Sequence, residues 1–184
     1  MSTHSVDHTS LLNSIPTGSF ILRRLLSGSM ALNFYGQPRM TRDVDLVVEL
    51  QPSDATKLVS LFGSEFACDL DEIRAAIQNE RMFNLIHIER VVKFDFIVRK
   101  SSPYRLEEFQ RRRQVELAGI RVWMVSPEDL VLSKLHWAKD SHSDLQLRDV
   151  KNLVGAVKAL DWPYLRRWAE NLGVAGLLAE VVDE

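Results

Sequence analysis

Every second residue of the segment 43–48 is aliphatic. A period of two is typical of a β-strand whose two faces differ. One face carries three aliphatic side chains, Val44, Leu46 and Val48. The other face carries Asp43, Asp45 and Val47. An aliphatic face must be covered by other parts of the chain, so the strand is expected within a larger sheet. The fold therefore has to hold two carboxylates side by side on one face of that sheet.

The rest of the chain divides into short segments separated mostly by proline and glycine. Further strands are expected at 21–26, 83–88, 91–98, 114–117 and 120–125. Helices are expected at 29–35, 52–62, 71–80, 103–112, 127–139, 145–159 and 163–171. This order predicts the α+β class, with a mixed sheet flanked by helices. We expect a flexible N-terminus at 1–17, a core at 18–125 and a C-terminal helical part at 126–184 packed on the core.

The length and charge of the chain exclude several classes of protein. A chain of 184 residues suits one domain, and its net charge of −2 gives no overall attraction to nucleic acid. The single cysteine, Cys68, excludes an intrachain disulfide and a cysteine zinc cluster, and it fits a reducing compartment. No apolar stretch reaches the roughly 20 residues of a membrane helix. We therefore expect a soluble, cytoplasmic protein with no membrane partner.

A third acidic residue, Asp95, lies between two phenylalanines in an apolar strand. A carboxylate buried there without a partner would be costly. One explanation is a structural ion pair with Lys93 or with an arginine. The other is that neighbouring strands bring Asp95 next to Asp43 and Asp45. Three close carboxylates require a cation among them, and such hard oxygen ligands favour Mg²⁺.

Gly28 and Ser29 lie at an expected strand-to-helix junction. Backbone N–H groups at such a helix start can bind a phosphate group. The same pair also occurs in ordinary turns, so both interpretations remain open from these two residues alone.

Lys134 and Asp149 are expected on the inner sides of two consecutive helices, because each has apolar residues three or four positions away. The two side chains can therefore meet. They form either a salt bridge within a helix hairpin or a lysine that neutralises phosphate charge and is oriented by the aspartate.

Residues 99–121 contain seven basic and three acidic side chains, with the densest run from Arg111 to Arg113. Such a segment is either a patch that contacts a polyanion or a solvated face. RNA bound to it would dissociate more readily as salt is added, through counterion release.

Several of these features occur together in one known superfamily. Residues 28–48 (GSMALNFYGQPRMTRDVDLVV) resemble the signature of the nucleotidyltransferase superfamily, the polymerase-β-like group. The resemblance continues through 93–96 (KFDF), 126–135 (SPEDLVLSKL) and 143–150 (SDLQLRDV), and covers roughly 20–155. Within the superfamily, the sequence is most similar to the AbiEii branch and related MNT-type proteins, which are toxins of toxin–antitoxin pairs. The resemblance implies a nucleotidyltransferase-like sheet.

The resemblance also implies roles for individual residues. Asp43 and Asp45 would hold one or two Mg²⁺ ions and the nucleoside triphosphate, and Asp95 would match the third acid and metal ligand. Gly28 and Ser29 would grip the phosphates, and Lys134 would also contact the nucleotide. The residues implied in catalysis are Asp43, Asp45, Asp95, Lys134 and Asp149.

The expected reaction transfers a nucleoside monophosphate from an NTP to an acceptor hydroxyl that Asp95 deprotonates or orients, with release of pyrophosphate. The resemblance implies tRNA or another RNA as one acceptor, and a cognate antitoxin protein as a partner. Transfer to a protein or a small molecule is an alternative. So is a non-catalytic module that only binds nucleotide. The sequence lacks the longer C-terminal helical part of the bigger toxins, which leaves the acceptor open.

Overall fold

The computed structural model describes residues 23–41, 43–90 and 92–183, without the side chains of Asp140 and Asp183. The segment 1–17, for which flexibility is predicted, lies outside these residues. Within them the chain forms seven strands and eight helices. None of these helices combines the length and apolar character needed to cross a bilayer.

All seven strands belong to one mixed sheet. They are β1 (Arg23–Leu26), β2 (Asp43–Glu49), β3 (Phe66–Ala67), β4 (Met82–His87), β5 (Lys93–Val98), β6 (Arg113–Leu117) and β7 (Ile120–Met124). Their order across the sheet is β3-β4-β5-β2-β1-β7-β6. β2 is parallel to β5 and β1 is parallel to β7, whereas the other neighbours are antiparallel. The predicted α+β class with a mixed sheet is confirmed.

The helices cover the sheet and extend beyond it. They are α1 (Gly28–Tyr35), α2 (Asp54–Phe62), α3 (Leu70–Gln78), α4 (Pro103–Gln110), α5 (Pro127–Ser141), α6 (Asp144–Ala156), α7 (Trp162–Leu172) and α8 (Ala175–Asp183). The start of α5 follows the sequence closely, because Ser126 caps it by accepting the N–H of Asp129 at 3.1 Å.

The pairing of β2 with β5 positions the charged residues. Asp43 is the register partner of Lys93, and Asp45 is the register partner of Asp95. Because side chains alternate along each strand, all four lie on the same face of the sheet. This register follows from the long-range pairing of two strands about 50 residues apart, which a local periodicity does not specify.

The opposite face of β2 and β5 forms the apolar core. The ring of Phe96 on β5 contacts Phe62 of α2 and stacks on Phe83 of β4, with centroid separations of 5.9 and 5.2 Å. Burial of one such phenylalanine stabilises the fold by about 1.5–3 kcal/mol. With α2 packed on this face, the charged face is left for α1 and the C-terminal helices.

Helix α5 is the centre of the C-terminal helices. It contacts α6, α7 and α8, and both α5 and α6 contact α1 of the core. Asp129 near the start of α5 is fully buried. Its carboxylate accepts hydrogen bonds from the hydroxyls of Ser126 and Tyr164, each at 2.6 Å. The buried carboxylate therefore ties α7 to the first turn of α5.

Two elements are not predicted by the sequence pattern. β3 has only two residues, too few to show a period. α8 lies beyond 163–171, the last helix expected from the sequence, yet Leu178 and Val181 on this helix are buried. Gly173, at φ +66°, ends α7 in the left-handed conformation and lets the chain turn back so that α8 packs on α6 and α7.

Candidate active site

A pocket of about 210 Å³ opens on the charged face of the sheet. Its wall includes β2, β5, the start of α1 and the facing sides of α5 and α6. Five of the seven residues predicted for the site line it, namely Gly28, Ser29, Asp45, Asp95 and Lys134. The other two do not line it: Asp149 bonds Lys134, and Asp43 lies beside Asp45 on the same strand face. A second cavity of about 290 Å³ between α7 and α8 contains none of them.

The start of α1 is in direct contact with Asp45. Gly28 has a φ of +57°, and a Cβ atom there would lie 1.8 Å from Oδ2 of Asp45. The Ser29 N–H donates to the same carboxyl, and the Ser27 N–H donates to the Asp45 carbonyl at 2.9 Å. Only glycine satisfies both the backbone angle and the contact. The helix N-terminus and the acidic strand therefore share one point of the pocket.

The electrostatic environment of Asp45 disfavours its negative charge. Burial raises the pKa of Asp45, and the nearby carboxylates of Asp95 and Asp43 raise it further. The hydrogen bond from Ser29 and the charge of Lys134 act in the opposite direction. A cation placed among these carboxylates would relieve the repulsion.

A lysine already lies among the carboxylates. The Lys93 ammonium is 3.0 Å from Oδ2 of Asp95 and 4.0 Å from Oδ1 of Asp43. The hydrogen bond to Asp95 raises the pKa of Lys93. The side chain of Asp95 is 9% exposed, and that of Asp43 is 53% exposed. The ion pair between Asp95 and Lys93, which the sequence left open, is formed.

The donor atoms fit a divalent cation in part. Oδ1 of Asp95 is buried and has no hydrogen-bond partner, and Asp45 faces Asp95 across the strand pair. Carboxylate oxygens are the protein ligands that Mg²⁺ prefers. Within the described ranges, however, no three acidic, histidine or cysteine side chains are placed to hold an ion. Asp45 and Asp95 fit as ligands of an ion completed by oxygen atoms from a substrate and from water.

Lys134 and Asp149 meet, as their helical positions predict. The Lys134 ammonium donates to Asp149 at 2.7 Å and to Oε1 of Gln146 at 3.0 Å. Burial lowers the pKa of Lys134, although the bond to Asp149 opposes this shift. Burial acts to raise the pKa of Asp149, but hydrogen bonds from Arg39 and Lys134 outweigh it and lower that pKa. The contact holds the lysine at the pocket wall.

Arg39 completes this network and is not predicted by the sequence analysis. Its guanidinium donates twice to Asp149, both at 3.0 Å, and once to the Ser29 hydroxyl at 2.7 Å. The Asn33 side chain bonds both the N–H and the C=O of Arg39 at 2.9 Å, which fixes the loop after α1. No local signal identifies Arg39, because its main partner is 110 residues away.

Trp137 is a second pocket residue that the sequence pattern does not single out. It lies three residues after Lys134 on α5, lines the pocket and is 54% exposed. An exposed aromatic ring at a pocket wall can stack on a flat ligand.

The arginine run contributes to structure and does not line the pocket. Arg111 bonds Asp129 at 3.3 Å and lies 3.7 Å from the centroid of the Tyr164 ring. Arg112 stacks on the rings of Phe109 and Trp123. Arg113 lies 3.5 Å from Glu128 and is half exposed. These contacts join α4 and β6 to α5 and α7, whereas Lys100 and Arg121 of the same segment are exposed.

The fold of this chain is similar to that of several solved structures. A nucleotidyltransferase-like antigenic protein of Paracoccidioides brasiliensis is 18% identical, with a TM-score of 0.58 over 96% of this chain and 83% of that one. The antibiotic-resistance factor ANT(2'')-Ia is 13% identical, with a TM-score of 0.53 over 89% of each chain. At these identities the similarity concerns the fold.

No curated protein sequence matches this one significantly. Residues 12–172 match the family DUF6036, described as nucleotidyltransferase of unknown function. This match covers much more of the chain than the motifs alone. The chain thus belongs to the DUF6036 family of nucleotidyltransferases.

Proposed function

We propose that this protein is a Mg²⁺-dependent nucleotidyltransferase that moves a nucleoside monophosphate from an NTP to an acceptor hydroxyl. The observation that carries the proposal is the contact of Gly28 and Ser29 with Asp45. A helix N-terminus attracts phosphate and an acidic pair attracts a divalent cation. Both features meet in one pocket, as a metal–triphosphate substrate requires.

Three groups at the pocket are suited to the triphosphate. The N-terminus of α1, the buried Lys134 and the guanidinium of Arg39 all lie around Ser29 or Asp149. Asp149 fixes the two cations in place before substrate arrives, so little ordering is needed on binding. We propose that the phosphates lie along this side of the pocket.

The carboxylates on β2 and β5 face the reacting atoms in this proposal. Asp45 and Asp95 would hold Mg²⁺ with Asp43 beside them, and the ion would supply positive charge next to the phosphates. The acceptor oxygen forms a bond to the α-phosphorus while the bond from that phosphorus to the β-phosphate oxygen breaks. The hydroxyl proton passes to the Asp95 carboxylate, and pyrophosphate leaves. Asp95 is near enough to the pocket to orient the hydroxyl.

The test is transfer of label from each α-³²P NTP, with Mg²⁺, to total RNA, to a protein extract and to a set of hydroxylated small molecules. Asp45→Asn should reduce transfer by about 10²-fold or more. The matched control is Asp71→Asn, since the Asp71 side chain is 93% exposed on α3. Equal transfer by Asp45→Asn and wild type would refute the proposal. Nucleotide binding that needs no Mg²⁺, without any transfer, would instead favour a non-catalytic binding module.

One observation favours a small molecule as a second candidate acceptor. The pocket wall next to Asp95 includes the apolar side chains of Met82, which is 45% exposed, and Ile97. A compact acceptor with an apolar part would fit against them, whereas Arg111 and Arg112 are engaged with other parts of the protein. Transfer to tRNA, assignment to the AbiEii branch, a toxin role with an antitoxin partner and a cytoplasmic location stay predictions from the sequence.

A further inference from the structure

The four charged side chains on β2 and β5 form a compact set with a defined order. Asp43 is opposite Lys93, and Asp45 is opposite Asp95. The Lys93 ammonium contacts Asp95 and approaches Asp43, so it lies between two of the three carboxylates. Three carboxylates carry three negative charges. One ammonium offsets one of them, and a single divalent ion offsets the other two.

The two oxygens of Asp95 are used differently. Oδ2 accepts from Lys93 at 3.0 Å, whereas Oδ1 is buried without a hydrogen-bond partner. A buried carboxylate oxygen normally has a partner. The free oxygen can be shared with Asp45 on the neighbouring strand through one ion, while the other oxygen stays with the lysine.

We propose that Lys93 takes the place of a second divalent ion between Asp43 and Asp95, so that this protein binds one Mg²⁺ where three acids could otherwise hold two. The inference rests on the proposed metal-dependent function and deepens it. A second divalent ion beside a fixed ammonium would be repelled at short range.

The test counts bound ions directly. Mn²⁺ binding is measured by electron paramagnetic resonance and calorimetry in the presence of α,β-methylene ATP, which cannot undergo transfer. Wild type should bind one Mn²⁺ per chain. Lys93→Met, which keeps the length of the side chain and removes its charge, should bind a second Mn²⁺ or bind the first at least about tenfold more tightly. Lys93→Arg should keep the count at one.

The matched control is Lys158→Met, which removes the charge of an exposed lysine after α6 and should leave the Mn²⁺ count at one. Two ions bound by wild type would overturn the inference and leave the transferase proposal intact. The same holds if Lys93→Met binds as many ions as wild type with equal affinity. No ion bound by wild type, with Asp45→Asn indistinguishable from it, would overturn both proposals. The number of Mn²⁺ ions bound by the wild-type protein does not depend on whether any variant folds.

Discussion

The substitution Gly28→Ala tests the contact between α1 and Asp45. The left-handed φ of +57° at Gly28 costs a non-glycine residue about 1–2 kcal/mol. The new Cβ would also lie 1.8 Å from Oδ2 of Asp45, so the carboxyl must move away from the Ser29 N–H. Loss of that charge-assisted bond costs about 1.5–3 kcal/mol. Together we expect the free energy of unfolding to fall by about 2.5–5 kcal/mol.

Urea unfolding followed by circular dichroism measures this loss, and fluorescence of a labelled ATP analogue with Mg²⁺ measures nucleotide binding, which should fall as well. Gly155→Ala is the control, because nothing lies within 4 Å of its added Cβ in α6. It should stabilise the protein by about 0.5–1 kcal/mol. In an Asp45→Ala background the cost of Gly28→Ala should shrink, because the two closest contacts disappear and only the backbone strain and the 2.9 Å contact with the Cβ atom of residue 45 remain. A urea midpoint of Gly28→Ala equal to that of wild type would refute the reasoning.

Three further substitutions test the charged network. Burial and Asp95 raise the pKa of Asp45. The folded protein therefore loses stability as the pH rises from the ordinary carboxyl pKa to the raised one. Asp45→Asn has no charge to bury and should raise the free energy of unfolding at pH 7. Thermal melts should show this gain shrinking towards pH 4, and a gain independent of pH would contradict the assignment. Asp149→Ala leaves Lys134 buried beside Arg39 without its counter-charge and should cost about 3–5 kcal/mol in urea unfolding, whereas exposed Asp144→Ala should change it by less than about 0.5 kcal/mol. Arg39→Met should weaken binding of the labelled ATP analogue about tenfold or more, and binding as tight as that of Arg148→Met, an exposed arginine on α6, would argue against a phosphate-binding role.

Local patterns in the sequence were sufficient to place the acidic strands and the two inner-facing helices. Alternation around Asp43 and Asp95 assigned each carboxylate to a strand face. Helical spacing predicted that Lys134 and Asp149 lie on the inner sides of two helices, where they meet. Register between β2 and β5 could not be predicted in the same way, because a period of two does not say which residue lies opposite. The position of the Lys93 ammonium depends on that register.

Arg39 and the arginine run show a second reason why parts of the structure could not be predicted from the sequence. A charged side chain in a loop has no periodicity, so its partner can be found only when distant segments are assembled. Arg39 bonds a helix 110 residues away, and Arg111 reaches an acid 18 residues away on α5. The basic composition of 99–121 was evident from the sequence, but composition does not distinguish a free surface patch from arginines stacked on aromatic rings and paired with buried acids.

The contacts of Asp149 set the time at which the site can assemble during synthesis. Arg39 and Lys134 both precede their shared carboxylate in the chain, and a ribosome makes about 5–20 residues per second. A nascent chain that ends before α6 has both cations and no aspartate to hold them. Closing a contact across 110 residues also carries a large entropic cost, which local helix formation does not. We therefore expect the phosphate side of the pocket to form only after α6 has been synthesised, among the last steps of folding.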